Sequence, residues 1–274
     1  MSGSEKVTYR ISGKVHYGRY FSAALIFLGL ALIVRAFWVG HIRWELVGDY
    51  LFGPSIINGI INTLILTAAA MVVGIVLGLA AALMTLSQNP VLNLSARAYI
   101  MVFRSVPVLL QLLIWYNLGL VFPTIGIPGL FSVPTTDVVT PFIASLLAFG
   151  IMQGSYTSEV IRAGLLSVSR GQSEAATAIG MTRMQSLRRI IIPQAMVVII
   201  PPIGNEVIGM VKYTSIASII QYKDVIYSAQ TIYYTNGRVI ELLMVCAFWY
   251  LLVVIVLSIL QRYVENYFGR HHKR

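Results

Sequence analysis

Six polar side chains interrupt runs that are otherwise apolar: Gln111, Asn117, Gln153, Glu159, Asn205 and Glu206. Their chemistry is hydrogen bonding and charge pairing, not bond breaking. A polar group inside a long apolar segment is costly, so it faces a cavity or another helix. Spacing groups several of them. Gln111 and Trp115 are four apart and share a helix face; Asn205, Gly209 and Lys212 share another at i, i+4 and i+7. Glu159 and Arg162, three apart, read most simply as a helix-end ion pair. For Gln111, Gln153 and Asn205, interhelical hydrogen bonding and contact with a solute both stay open. Nothing points to a catalytic residue or a metal site. The four histidines (His16, His41, His271 and His272) lie outside the apolar runs, and the single cysteine, Cys246, lies inside one. Gly13-Lys14 is followed by Val15 and lacks the upstream glycine of a phosphate-binding loop, so no nucleotide site is expected here.

Long apolar helices must position these groups. Hydrophobic residues make up 57% of the chain, charged residues 11%, and the mean hydropathy is +0.79; a soluble domain is about 25% charged. The expected fold is an all-α, polytopic transmembrane helix bundle with six spans, at about residues 20–39, 57–85, 100–120, 141–161, 190–211 and 241–261. The first run is too long for a secretory signal and lacks a small-x-small cleavage site, so it reads as a retained helix. Lysines and arginines sort by side when both termini are placed inside. Fifteen of the 20 then fall in the inner segments, and only Arg35, Arg43, Lys212, Lys223 and Arg238 remain outside. This bias makes the net charge of +10 a matter of topology and argues against nucleic acid. Arg35 falls near the outer end of its span, where it can snorkel to the interface. Gly74, Gly78 and Ala82 form a small-residue stripe on the second span, suited to close helix packing within the chain or against a second subunit. Between 121 and 140, Pro123, Pro128, Pro134, Gly126 and Gly129 prevent a regular helix, and the apolar residues among them suit a kinked segment lying in the outer interface or re-entering slightly, with a plain turn an equal alternative.

The loop from 162 to 189 is the longest expected on the inner side. Ser169-Arg170-Gly171-Gln172 has capping-box spacing and predicts a short helix through Ala175, Ala176 and Ala178. Gly180 suits the position just past its end. Thr182-Arg183-Met184-Gln185 repeats the cap and opens the next helix. Pro193 stands where that helix meets the membrane, able to kink it or mark its start. Helix, glycine bend and helix make a compact knob, with Glu174 the one acid among five arginines.

The order of residues here, Glu174-Ala175-Ala176, three residues, Gly180, nine residues, then Ile190-Ile191-Ile192-Pro193, resembles the "EAA" signature of the membrane subunits of ATP-binding-cassette importers. The resemblance widens to Asn62-Thr63-Leu64, Phe103-Arg104-Ser105-Val106-Pro107, Tyr156 to Arg162, Pro193-Gln194-Ala195, Pro201 to Asn205 and Lys212-Tyr213-Thr214-Ser215. Over residues 57–265 it is similar to permease subunits of polar-amino-acid importers of the histidine/glutamine/arginine type. Three departures stand out: Ser105-Val106 where relatives carry Gly-Thr, Ile192 where they carry leucine, and the additional helix 20–39.

The resemblance implies a type I importer fold and no enzymatic activity or cofactor on this chain, with ATP bound by a partner. It implies two ATPase subunits, a second permease subunit (identical or paralogous), an extracytoplasmic solute-binding protein and an amino-acid substrate, in a bacterial cytoplasmic membrane with its lipid. Residues 1–56 would be an N-terminal segment with an extra helix, 57–265 the permease domain with its coupling loop 162–190, and 266–274 a basic tail. Glu174, Ala175, Ala176, Gly180 and Pro193 would couple to the ATPase. Gln111, Trp115, Gln153, Asn205 and Glu206 are the candidates for the substrate pathway, and Glu206 beside Asn205 hints at a cationic substrate. The alternative is an ion-coupled secondary transporter, against which stand the missing internal repeat and the small number of spans.

Overall fold

The computed structural model describes residues 17–40, 42–127 and 130–269. The four histidines, the Gly13-Lys14 pair, Pro128, Gly129 and the basic residues of both tails beyond these limits lie outside the described residues. The chain divides into two units, 1–44 and 45–274. The first contains α1 (Tyr17–Val39), 23 residues and apolar on every side. At 1.5 Å per residue it is about 35 Å long, enough to cross a bilayer.

The second unit begins with α2 (Trp44–Leu51) and α3 (Pro54–Thr85), then α4 (Pro90–Ser105) and α5 (Val108–Tyr116). A hairpin of β1 (Thr124–Ile127) and β2 (Phe131–Pro134) follows, then α6 (Thr135–Val138) and α7 (Pro141–Ser167). Next come α8 (Arg170–Ala178), α9 (Arg183–Ser186), α10 (Ile192–Tyr213), α11 (Val225–Asn236) and α12 (Val239–Gly269). Proline opens α3, α4 and α7, where its missing N–H would have no intrahelical partner. Side chains complete two of these starts: Asn89 Oδ1 accepts from Val91 N at 2.9 Å and Thr140 Oγ1 from Ile143 N at 3.4 Å.

Helix covers all six expected spans, but they are not six equivalent crossings. Among the described residues, four helical stretches are long and apolar enough to span: α1, α3, Arg183–Ile220 around α10, and Val239–Phe268 in α12. The expected span 100–120 is instead the pair α4 and α5, bent by 101°, and counts as a fifth only if the pair is one span. The physical reason is Pro107. It sits at the start of α5, and it holds Val106 extended at φ −84°, ψ 128°. The 27-residue α7 has the length but carries Gln153, Glu159 and Arg162 among its apolar residues, and it is not among the stretches apolar enough to count.

The segment 121–140 is closer to the plain turn than to the kinked segment, and it adds a pair of strands that neither reading included. It forms an antiparallel ladder pairing Thr124 with Pro134 and Ile127 with Phe131. The Thr135 hydroxyl donates to the Phe122 carbonyl and closes its base.

The core has three centres. Leu66, Leu112, Phe149 and Met210 anchor the one shared by α3, α5, α7 and α10. Ile56, Val225, Leu242 and Val245 anchor another among α3, α11 and α12. Ala82, Ile161, Ala195 and Ile199 form the third, toward the α8 end. The small-residue stripe on α3 packs within the chain, against α7. A Cβ added at Gly74 would sit 2.5 Å from Gln153 Cγ, and one at Gly78 would sit 2.7 Å from Thr157 Cβ.

Candidate functional site

The loop between α7 and α10 folds as helix, bend and helix. Ser169 occupies the cap position of α8, yet its side chain makes no capping bond. Gln172, the other half of the expected box, reaches across instead: its Oε1 accepts from Gln194 Nε2 at 3.2 Å, tying α8 to α10. The far end of α8 is closed by backbone. Gly180 N donates to Thr177 O and Met181 N to Ala176 O, each at 3.0 Å, with Gly180 at φ +80°. This is the Schellman arrangement, and its left-handed residue is where glycine is free of the Cβ clash. Thr182 and Gln185 then form a full reciprocal capping box, at 3.3 and 2.9 Å.

A π-type turn at Leu187–Ile191 carries the chain into α10, and Pro193 lies in the first turn of that helix. The wider π loop leaves room where proline removes a backbone donor. Ala176 is fully buried, whereas Glu174 and Ala175 are exposed. Ile179 and Met184 were not singled out in the sequence. They stand 76% and 61% exposed, two large apolar side chains on a projecting knob. Their signal was available, since both flank the glycine bend.

The second constellation lies between α7 and α10. The half-buried Glu206 accepts two hydrogen bonds on Oε2, from Gln153 Nε2 at 2.6 Å and from Thr157 Oγ1 at 3.0 Å. Gln153 Nε2 also donates to Thr157 Oγ1 at 3.0 Å. Thr157 was missed in the sequence, although it lies one turn past Gln153. Arg104, at the end of α4, lies over the Tyr156 ring at 4.8 Å and is close enough to act electrostatically on Glu206 and Glu159. Glu159 and Arg162 form the expected ion pair at 2.6 Å. The Glu206 carboxylate is suited to an ammonium group and the Arg104 guanidinium to a carboxylate.

The other pathway candidates separate. Asn205 is exposed beside Glu206. Trp115 packs against the core of α3, α5, α7 and α10. Gln111 is buried and holds the α4–α5 bend: its Nε2 donates to Phe103 O at 3.1 Å and to Val106 O at 2.8 Å, two carbonyls that the break leaves free. Asn117 bonds back to its own helix, to Leu113 O at 2.9 Å. Among the described residues, no group of three or more histidine, cysteine, aspartate or glutamate side chains is placed to hold a metal ion.

Residues 74–269 match the family described as the binding-protein-dependent transport system inner membrane component. The arginine transport system permease protein ArgU of Corynebacterium glutamicum is 35% identical over 262 residues, covering 94% of this chain and 83% of the relative. The glutamate/aspartate import permease protein GltK of Escherichia coli O6:H1 is 34% identical over 216 residues, 78% of this chain and 93% of the relative. A crystal structure of an amino acid ABC transporter with histidines superposes with a TM-score of 0.70 at 35% identity, over 81% of this chain and 97% of that one. The chain belongs to this family, as an amino-acid permease subunit of the ATP-binding-cassette importers with the type I importer fold. The ion-coupled alternative finds no support.

Gln111→Leu should leave the Phe103 and Val106 carbonyls without a donor. An unsatisfied buried group costs about 1–3 kcal/mol, so the thermal midpoint in detergent should fall by about 3–10 °C. A loss of uptake affinity at an unchanged midpoint would return Gln111 to the solute pathway.

Proposed function

We propose that this chain is the subunit through which a polar amino acid crosses the membrane, driven by ATP hydrolysed on separate ATPase subunits and delivered by a solute-binding protein. The observation that carries this reading is the knob of α8 and α9, closed by backbone at the end of α8 and by a capping box at the start of α9, and joined through a π turn to α10, the helix that bears Glu206. Glu174, Ala175 and Gly180, with the exposed Ile179 and Met184, form the surface that an ATPase groove grips, and Ala176, buried beneath it, supports that surface from inside. Pro193 and the π turn are where the grip passes into the membrane. Two such ATPase subunits and a second permease subunit complete the assembly, with residues 57–265 as its permease domain. The basic bias supports a cytoplasmic position for both termini and the knob, with the chain in a bacterial inner membrane.

Displacing the knob moves the start of α10 through the Gln172–Gln194 contact. Because Glu206 is held to α7 by Gln153 and Thr157, sliding α10 against α7 breaks or remakes that polar contact. The bundle then passes between two packings, one open to each side. A loaded binding protein contributes only by favouring one of them.

For the substrate, Arg104 faces the carboxylate and Glu206 the cationic end. This agrees better with a cationic or zwitterionic amino acid, as the name of the arginine permease suggests, than with an acidic one. Asn205, exposed one residue away, borders the same path, and Gln153 shapes it.

Three measurements test the reading. Proteoliposomes with the partner subunits and the binding protein should take up amino acid only with ATP, and ionophores should not abolish it. Gly180→Val should cut ATPase stimulation and uptake several-fold, since a left-handed backbone costs an ordinary residue about 1–2 kcal/mol and a β-branched one more. Gly180→Asn should keep most of both, and full transport by Gly180→Val would remove the knob from the mechanism. Glu206→Gln should raise the KM for a cationic amino acid by about 10–100-fold, from the roughly 1.5–3 kcal/mol of a charged hydrogen bond. Unchanged specificity and affinity would take Glu206 off the path.

A further inference from the structure

The end of the bundle opposite α8 is closed by a short segment, residues 222–225, bolted to α3. Asn62 Nδ2 donates to Lys223 O at 2.8 Å, the Tyr222 hydroxyl donates to Asn62 O at 3.0 Å, and Val225 N donates to Thr63 Oγ1 at 3.3 Å. From the other side, the Cys246 thiol of α12 donates to Val225 O at 3.6 Å. In the middle of this junction sits Asp224, with no exposed surface. Its Oδ1 caps α11, accepting from Tyr227 N at 2.8 Å. Its Oδ2 is buried with no partner, and so is the hydroxyl of Tyr250 on α12, which lies within electrostatic range of it.

The surroundings offer no countercharge. Among the described residues Asp224 makes no ion pair; Lys223 beside it is exposed, and Arg238 on the same side turns to Glu241 at 3.9 Å. The titratable groups facing Asp224 are neutral: Tyr222 on its own segment, and Cys246 and Tyr250 from α12. From α3 and the turn after α10 come only the hydroxyls of Thr63 and Ser215, both near Tyr250. An ionised carboxylate here would be a bare charge in an apolar core. A neutral acid removes that charge.

We propose that this junction is a proton-binding site, in which Asp224 is held as the neutral acid with its proton on the sealed, unpartnered Oδ2. Losing the proton places an uncompensated charge between α3, α11 and α12 and loosens the grip of the 222–225 segment on them. Burial pushes the Asp224 carboxyl from 3.8 up to about 7, against the pull of the amide groups at the start of α11. Burial also pushes the Tyr222 phenol up to about 12, so it does not exchange a proton in the same range. The folded chain therefore binds more protons than the unfolded chain between these two values for Asp224. The stabilising effect of the proton is complete below about pH 4 and is lost as pH rises through about 7. By linkage, any state of the bundle that opens this junction is disfavoured by acid and favoured by base.

The test is the thermal midpoint of the full chain in detergent against pH, for the wild type and for Asp224→Asn. That variant keeps Oδ1 as the cap and carries neither charge nor a titrating proton. The wild-type midpoint should fall by about 5–10 °C between about pH 5 and pH 8, while that of Asp224→Asn stays level. Asp224→Asn with the wild-type slope overturns the proposal. Infrared spectroscopy provides a second measurement. A protonated-carboxyl band should be present at about pH 5, be lost above about pH 8, and be absent throughout in Asp224→Asn. If no such band titrates, the site holds no proton. Sodium chloride that raises the wild-type midpoint at high pH, but not that of Asp224→Asn, would identify a metal cation as the occupant and also overturn the proposal.

Discussion

The contact between α3 and α7 governs the rest of the bundle. Two glycines on α3 face two particular residues on α7: Gly74 meets Gln153, and Gly78 meets Thr157. Those are the same two residues that hold Glu206 on α10. A side chain at either glycine would push its partner aside, so the missing Cβ atoms fix where the Gln153 amide and the Thr157 hydroxyl point. The small-residue stripe therefore does more than draw two helices together. It presets two donors for a third helix, in a medium where an unpartnered carboxylate would be costly.

From that clamp α10 runs unbroken in helical contact to the knob, but it is not a uniform rod. A π turn lies at its base, Pro193 in its first turn, and Pro201 and Pro202 lie within it. Gln261 of α12 donates to Pro201 O at 3.2 Å, and also to Glu265 Oε1 at 2.8 Å, so the kinked stretch is supported from outside. Proline removes internal bonds and leaves a helix that bends at set places. In the proposed mechanism this matters: a lever that bent everywhere would absorb the motion of the knob, and one that bent nowhere would carry it past Glu206.

Much of this was legible in the residues, for local reasons. The Thr182–Gln185 box and the Gly180 bend were readable because caps depend on four or five consecutive residues, as does the Glu159–Arg162 pair. The misreadings share a cause. Ser169 has the right spacing for a cap, but Gln172 found a better partner 22 residues away in Gln194. Gln111 left both a hydrogen-bonding and a pathway role open because it is polar in an apolar run; its carbonyl partners are free only because the chain breaks at Pro107, and one straight span hid that need. The hairpin at 124–134 was obscured by its prolines and glycines, which exclude helix without announcing strand. Asp224 went unnoticed because it lies outside the apolar runs. Only the packing of α3, α11 and α12 around it makes it interior.

The bundle thus carries two acids with opposite surroundings. Glu206 is half-buried, accepts from two donors and lies within reach of a guanidinium. Its charge is supported without being sealed in, so a ligand cation can compete for it. Asp224 is sealed, with one oxygen capping a helix and the other buried without a partner. No solute can reach it while the junction is closed, and a proton is the one ligand that needs no cavity. A carboxylate with spare charge and access is suited to selecting what crosses. One with neither is suited to sensing whether its junction is shut. The difference follows from burial and partners alone, since the two side chains carry the same functional group.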